Sequence, residues 1–81
     1  MIEIHGKYYS YSLKFQATAA RRDVTMAEVE LTVQDPDGRV ESEHDSLNRF
    51  LYHKLTDERW ITVVVDEAEK MLITVWANEV E

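Results

Sequence analysis

The chain predicts an α+β fold, with two N-terminal helices packed on a roughly four-stranded antiparallel sheet. Three observations carry this expectation. Arg49 to Trp76 reads as three short runs rich in Val, Ile, Tyr, Trp and Thr, separated by two acidic breaks, and such residues fit a pleated, half-buried surface. SLKFQATAARR, ending at Arg22, contains Ala17, Ala19 and Ala20, which favour helix. Thr25 and Glu28 form a T-x-x-E capping-box pattern ahead of apolar residues. At 81 residues the whole chain, 1–81, is expected to be one domain.

The elements follow in order. Met1 to Ile4 reads as a short strand that ends near Gly6, and Tyr8, Tyr9 and Tyr11 make a β-prone cluster after it. In the first helix Leu13, Ala17 and Ala20 share one face, and Arg21 and Arg22 sit at the C-terminus, where cations complement the helix dipole. From Thr25 to about Gln34 two patterns compete. Met26, Val29 and Val33 line a helical face, while Val29, Leu31 and Val33 also alternate as a strand would. The cap and the Ala-Glu start tilt the reading to helix. Asp35-Pro36-Asp37-Gly38 then forms a turn into an edge strand, Arg39 to Glu43, whose acids discourage edge-to-edge pairing. His44 to Leu47 reads as a loop. Strands are expected near Asn48–Leu55, Arg59–Asp66 and Lys70–Ala77, joined by breaks short enough for hairpins though neither has a glycine. Apolar residues on both sides of Arg59–Asp66 predict a central strand covered on both faces.

Charge narrows the function. Net charge is −7, from 16 acidic and 9 basic residues. Residues 1–22 hold Lys7, Lys14, Arg21 and Arg22 against Glu3 alone; residues 23–81 hold five basic and fifteen acidic residues. Nucleic-acid affinity depends on phosphate neutralisation, so RNA binding is disfavoured except through the N-terminal segment. There is no cysteine, which excludes disulfides, thiolate metal ligands and a thiol nucleophile and suits a reducing cytoplasm. Met1 is followed by Glu3 and His5 rather than a basic then apolar leader. No apolar run approaches the roughly 18 residues of a membrane span. The expectation is a cytoplasmic domain without membrane contact. A core of this size leaves about 3–5 kcal/mol of stability, so a homodimer or a partner would help.

Arg22 to Val29, R-D-V-T-M-A-E-V, resembles the R-G-I-T-x-x-E-V part of a pattern in a family of small domains grouped with the RelE/ParE and BrnT toxins of toxin–antitoxin systems. That pattern runs S-x-H-A-x-x-R-x-x-x-R-G-I-[ST]-x-x-E-[VI], then a proline-containing loop and closing strands. Asp35-Pro36-Asp37 resembles the loop; Val63-Val64-Val65-Asp66-Glu67 and Ile73-Thr74-Val75 resemble the close. Lys14 stands where the family has its helix histidine, Phe15 replaces the alanine, and Thr18 replaces the first arginine. The resemblance implies a RelE-toxin-like fold more strongly than toxin activity, and an antitoxin-like partner.

Metal-free RNA cleavage needs a base for the 2′-hydroxyl, an acid for the leaving oxygen and cations for the phosphate. The candidate catalytic set is Lys14, Arg22, Tyr52 and Lys54, with His53, Arg49 and Arg59 nearby. Strand alternation places Tyr52 and Lys54 on one face and His53 on the other. Lys14 and Arg21, seven apart, share a helical face that could contact phosphate, or simply be solvated. Glu41, Glu43, His44 and Asp45 form an acidic cluster with one imidazole, but no repeated His spacing marks a metal site. No glycine-rich phosphate loop, serine elbow or H-E-x-x-H motif is present, so no cofactor or metal is expected. Phe50, Tyr52, Trp60 and Trp76 read as core; alternatively Phe50, Tyr52 and Trp60 form a recognition patch. Two roles therefore compete: a toxin-like, RNA-cleaving domain, and a non-catalytic acidic module that binds a basic protein.

Overall fold

The computed structural model describes residues 1–42 and 48–79. It contains six strands and two helices in the order β1 (Ile2–Ile4), β2 (Lys7–Tyr11), α1 (Leu13–Arg21), α2 (Met26–Gln34), β3 (Gly38–Glu41), β4 (Arg49–Thr56), β5 (Arg59–Asp66) and β6 (Met71–Glu79). The strands form one sheet in the order β1-β2-β6-β5-β4-β3, and about half of the residues lie in strands.

This corrects the expected architecture. The sheet is six-stranded and mixed, not four-stranded and antiparallel, and it curls into a half-barrel. The helices are not N-terminal, because a β-hairpin precedes them. His5 and Gly6, at φ 48° and 85°, make a tight two-residue turn whose twist suits a hairpin. It pairs Ile2 with Tyr9 and Ile4 with Lys7, and buries Ile2, Ile4 and Tyr9. β2 then joins β6 in parallel, Ser10 opposite Met71 and Tyr11 opposite Leu72. Parallel neighbours need a long crossover, and here everything from α1 to β5 supplies it.

α1 begins where the Ser12 side chain accepts a hydrogen bond from the Phe15 N–H at 3.1 Å. It ends with Asp23 in the left-handed region, while Val24 N–H donates to Ala19 O and Asp23 N–H to Ala20 O, the Schellman arrangement. Its buried residues are Phe15 and Ala19, whereas Leu13, Ala17 and Ala20 are exposed. The expected face was therefore rotated: the large aromatic ring, four residues before Ala19, turns inward in place of Leu13. α2 starts with the full capping box, Glu28 N–H to Thr25 Oγ1 at 3.1 Å and Thr25 N–H to Glu28 Oε1 at 2.9 Å. It buries Val29, Thr32 and Val33, so the helical alternative holds for this segment.

The meander β4–β5–β6 is antiparallel, with Tyr52 opposite Val63 and Val63 opposite Val75. A bulge between Val64 and Val65 shifts the register towards Leu72, which bends the strand and adds twist. β3 pairs with β4 at the sheet edge and runs over Gly38–Glu41; Glu43 of the expected edge strand and the expected loop from His44 to Leu47 lie outside the described residues. The two glycine-free turns place Asp57 and Lys70 at φ 51° and 52°.

The core gathers on one face: Ile61, Val63, Val65, Leu72, Val75, Ile2, Ile4, Tyr9 and the inward residues of both helices. α1 packs on β6, and α2 packs on β5, β4 and β1. The opposite face does not show the expected coverage. Val40, Leu55 and Trp60 remain 51%, 44% and 38% exposed, although Thr62 between them is buried. Among the described residues no helix is long and apolar enough to cross a membrane.

Candidate functional site

The curl of the sheet creates a cleft of about 470 Å³ lined by Ile4, His5, Lys7, Tyr9, Arg39, Tyr52 and Glu67. Tyr9 comes from β2 and Tyr52 from β4, with β6 and β5 between them in the sheet. Glu67 opens the turn after β5. The Tyr9 hydroxyl donates to Glu67 Oε2 and the Tyr52 hydroxyl to Oε1, each at 2.6 Å. Such short bonds are the mark of a hydroxyl meeting a charged acceptor.

Arg39 completes the network from the edge. It stands opposite Tyr52 in the β3–β4 register, so their side chains share a face. Arg39 Nε donates to the Tyr52 hydroxyl oxygen at 3.0 Å, and its Nη2 lies 3.6 Å from Glu67 Oε1. The guanidinium stacks 3.9 Å above the Phe50 ring and 5.3 Å from the Tyr52 ring centre. Among the described residues only Nε makes a hydrogen bond; the Nη groups make none, and the side chain is 44% exposed.

Burial alone would raise the Glu67 carboxyl; hydrogen bonds from Tyr52 and Tyr9 and the Arg39 charge outweigh it and hold the pKa below the ordinary carboxylate value. Burial, then the bond to Glu67, pushes the Tyr9 and Tyr52 hydroxyls above the ordinary phenol value. The Arg39 pKa is raised, chiefly through its bond to Tyr52. Near neutral pH the four-residue network is thus a fixed array: a carboxylate, two protonated phenols and a guanidinium. None sits near the pKa that proton transfer favours at that pH.

The residues nominated from the sequence do not meet in this cleft as a set. Tyr52 is in it. Lys54 shares the Tyr52 face, but donates to Asp35 O at 2.8 Å and pairs with Asp35 and Asp37 at 3.5 and 3.9 Å. Lys14 and Arg22 are exposed on α1 and at its C-cap, and α1 packs on β6 rather than β4. His53 points to the other face, where Nδ1 lies 2.8 Å from Thr62 Oγ1. Arg49 pairs with Asp66 at 3.8 Å, and Arg59 with Glu28 at 3.2 Å. Phe50 and Tyr52 lie on the core side, whereas Trp60 lies opposite, so the three do not form one patch. Glu43, His44 and Asp45 of the acidic cluster lie outside the described residues; among the described residues no three His, Asp or Glu side chains converge as metal ligands.

Sequence reasoning missed Tyr9, Arg39 and Glu67. Tyr9 registered only as a β-prone residue, and Glu67 only as part of a break between strands and as the last residue of the Val63–Glu67 resemblance. Tyr9 and Glu67 are 58 positions apart, and no local spacing links them. Comparison with protein-family models, with curated proteins and with solved structures returns no match for this chain.

Proposed function

We propose that the protein is a non-catalytic recognition domain whose docking place is the Glu67 cleft. One observation carries this reading: the centre of the cleft is a fixed hydrogen-bonded array, in which both tyrosine hydroxyls donate to the Glu67 carboxylate and Arg39 lies beside it with Nη donors to spare. Such an array orients a bound group by fixed hydrogen bonds and charge, and this is how binding pockets obtain specificity. Glu67 is held below, and Tyr9 and Tyr52 above, their ordinary values, which moves all three away from proton transfer near neutral pH. The acidic surface beyond the cleft favours a partner that is basic overall, by long-range steering.

An RNA-cleaving role would need Lys14 on α1 and Arg22 at its C-cap to act with Tyr52 and Lys54 on β4, although Lys54 is already bound to Asp35. The discriminating experiment incubates the purified protein with ribosomes and messenger RNA, beside expression in growing cells. Intact RNA and unchanged growth are expected. Cleavage that disappears in Tyr52→Phe would overturn the recognition reading.

A further inference from the structure

We infer that the Glu67 cleft receives a carboxylate, bound edge-on by the Nη groups of Arg39. The inference rests on the cleft being a docking place and adds the class of group that enters it. Arg39 is held at three points, by Tyr52, Phe50 and Glu67, yet its Nη donors make no hydrogen bond to any described residue. An arginine fixed in this way has lost its freedom before a ligand arrives, and its fork matches the two oxygens of a planar carboxylate.

The charges around it fit a single negative charge. Lys7 lines the same cleft and makes no ion pair with a described residue. Arg39 and Lys7 against Glu67 leave one positive charge to be neutralised. A doubly charged phosphate would be set beside the Glu67 carboxylate, where like charges repel. Ile4 and the two tyrosine rings add an apolar part to the wall, which suits a carboxylate carried on an apolar group. Such a group is available as a free small acid or as the C-terminus of a peptide.

A second arginine supplies an internal control. Arg59 borders another groove, but its companions there are Asp57, Glu58 and Glu79. That groove repels anions, so the same probe should leave it unchanged.

The test uses the isotope-labelled full chain and two-dimensional NMR. N-acetylphenylalanine, its amide and inorganic phosphate are titrated separately. The acid should give saturable shifts at residues 4–9, Arg39 and Tyr52, and none at Arg59. The amide should bind at least tenfold more weakly. Arg39→Gln should weaken the acid at least tenfold, and Lys7→Ala, at the rim, should weaken it severalfold with the fold intact. If Arg39→Gln does not fold, Lys7→Ala decides. A short peptide ending in the same residue separates the sources: tighter binding than the free acid assigns a peptide C-terminus, and equal binding a small molecule. Equal binding of acid and amide, tighter binding of phosphate, or indifference to Lys7→Ala would overturn the carboxylate assignment and leave the docking reading standing. Absence of cleft shifts with every probe would overturn both.

Discussion

Arg59 and Arg39 each reach an acid on the core side of the same sheet, but they are embedded differently. Arg59 Nη2 donates to Asp23 O at 2.8 Å and to both Glu28 oxygens at 3.2 and 3.4 Å. It ties β5 to the end of α1 and to the capping box of α2, and further acids surround it. Arg39 is anchored through Nε, its ring contacts and an ion pair of Nη2 with Glu67 at 3.6 Å, with Nη hydrogens left over and a lysine nearby. Residue type does not separate a structural clamp from a recognition site. What separates them is which donors are left over and which charges stand beside them.

The largest expected effect comes from Glu67→Ala, which leaves two buried tyrosine hydroxyls without their acceptor and Arg39 without its counter-charge. Hydrogen bonds to charged groups contribute about 1.5–3 kcal/mol each, so a loss of about 3 kcal/mol is expected in urea unfolding. A loss under about 1 kcal/mol would show the network to be loose. Glu28→Ala removes a capping box and a surface ion pair, and about 1–2 kcal/mol should follow; should it cost more than Glu67→Ala, the ranking of the two sites is reversed. Tyr9→Phe keeps the ring and deletes one of these bonds, at about 1.5 kcal/mol.

The two sites also separate by pH. Glu28 and Glu67 both have depressed folded pKa values. Their contribution is present above the unfolded value near 4.5 and is lost as pH falls through the folded values. Tyr9 and Tyr52 have raised values, so their contribution is full below the unfolded value near 10.0 and is lost as pH rises above it. Acid should weaken both sites and alkali only the Glu67 site. Stability measured across pH should therefore lose part of its alkaline fall in Tyr9→Phe and keep the Glu28 part of its acid fall. An unchanged alkaline limb would mean that other groups control it.

The smallest expected change is a gain. Asp57 adopts a left-handed conformation in the tight turn beside Arg59, which costs an L-residue roughly 1–2 kcal/mol. Asp57→Gly should raise stability by about 0.5–1 kcal/mol, since glycine relieves the strain but also gains unfolded-state freedom. Thermal unfolding will show this directly, and a lower melting temperature would mean that the Asp57 side chain stabilises the turn.

The Arg59 site was half legible in the sequence. Thr25 and Glu28 announced the cap, because a capping box is local, but nothing local announced that Arg59 would reach it. The strand alternation that parts Tyr52 from His53 was legible for the same reason. The β1–β2 strands were visible only as β-prone residues. Their antiparallel pairing turns on one His-Gly turn, and their parallel union with β6 leaves no periodic trace. The cleft lay beyond local reading altogether. It needs the curl of six strands to bring Tyr9 and Tyr52 to one carboxylate.

The parallel pairing of Ser10 with Met71 has a consequence for when the cleft exists. A two-stranded hairpin alone is marginal in water, so β1–β2 gains lasting support only after β6 is in place. Joining them closes most of the chain into one loop, a step paid in entropy before contacts reward it. The Tyr9–Glu67 bond is the same closure made by side chains. No partly assembled form of this chain can hold the Glu67 array, so ligand occupancy there would act as a readout of completed folding.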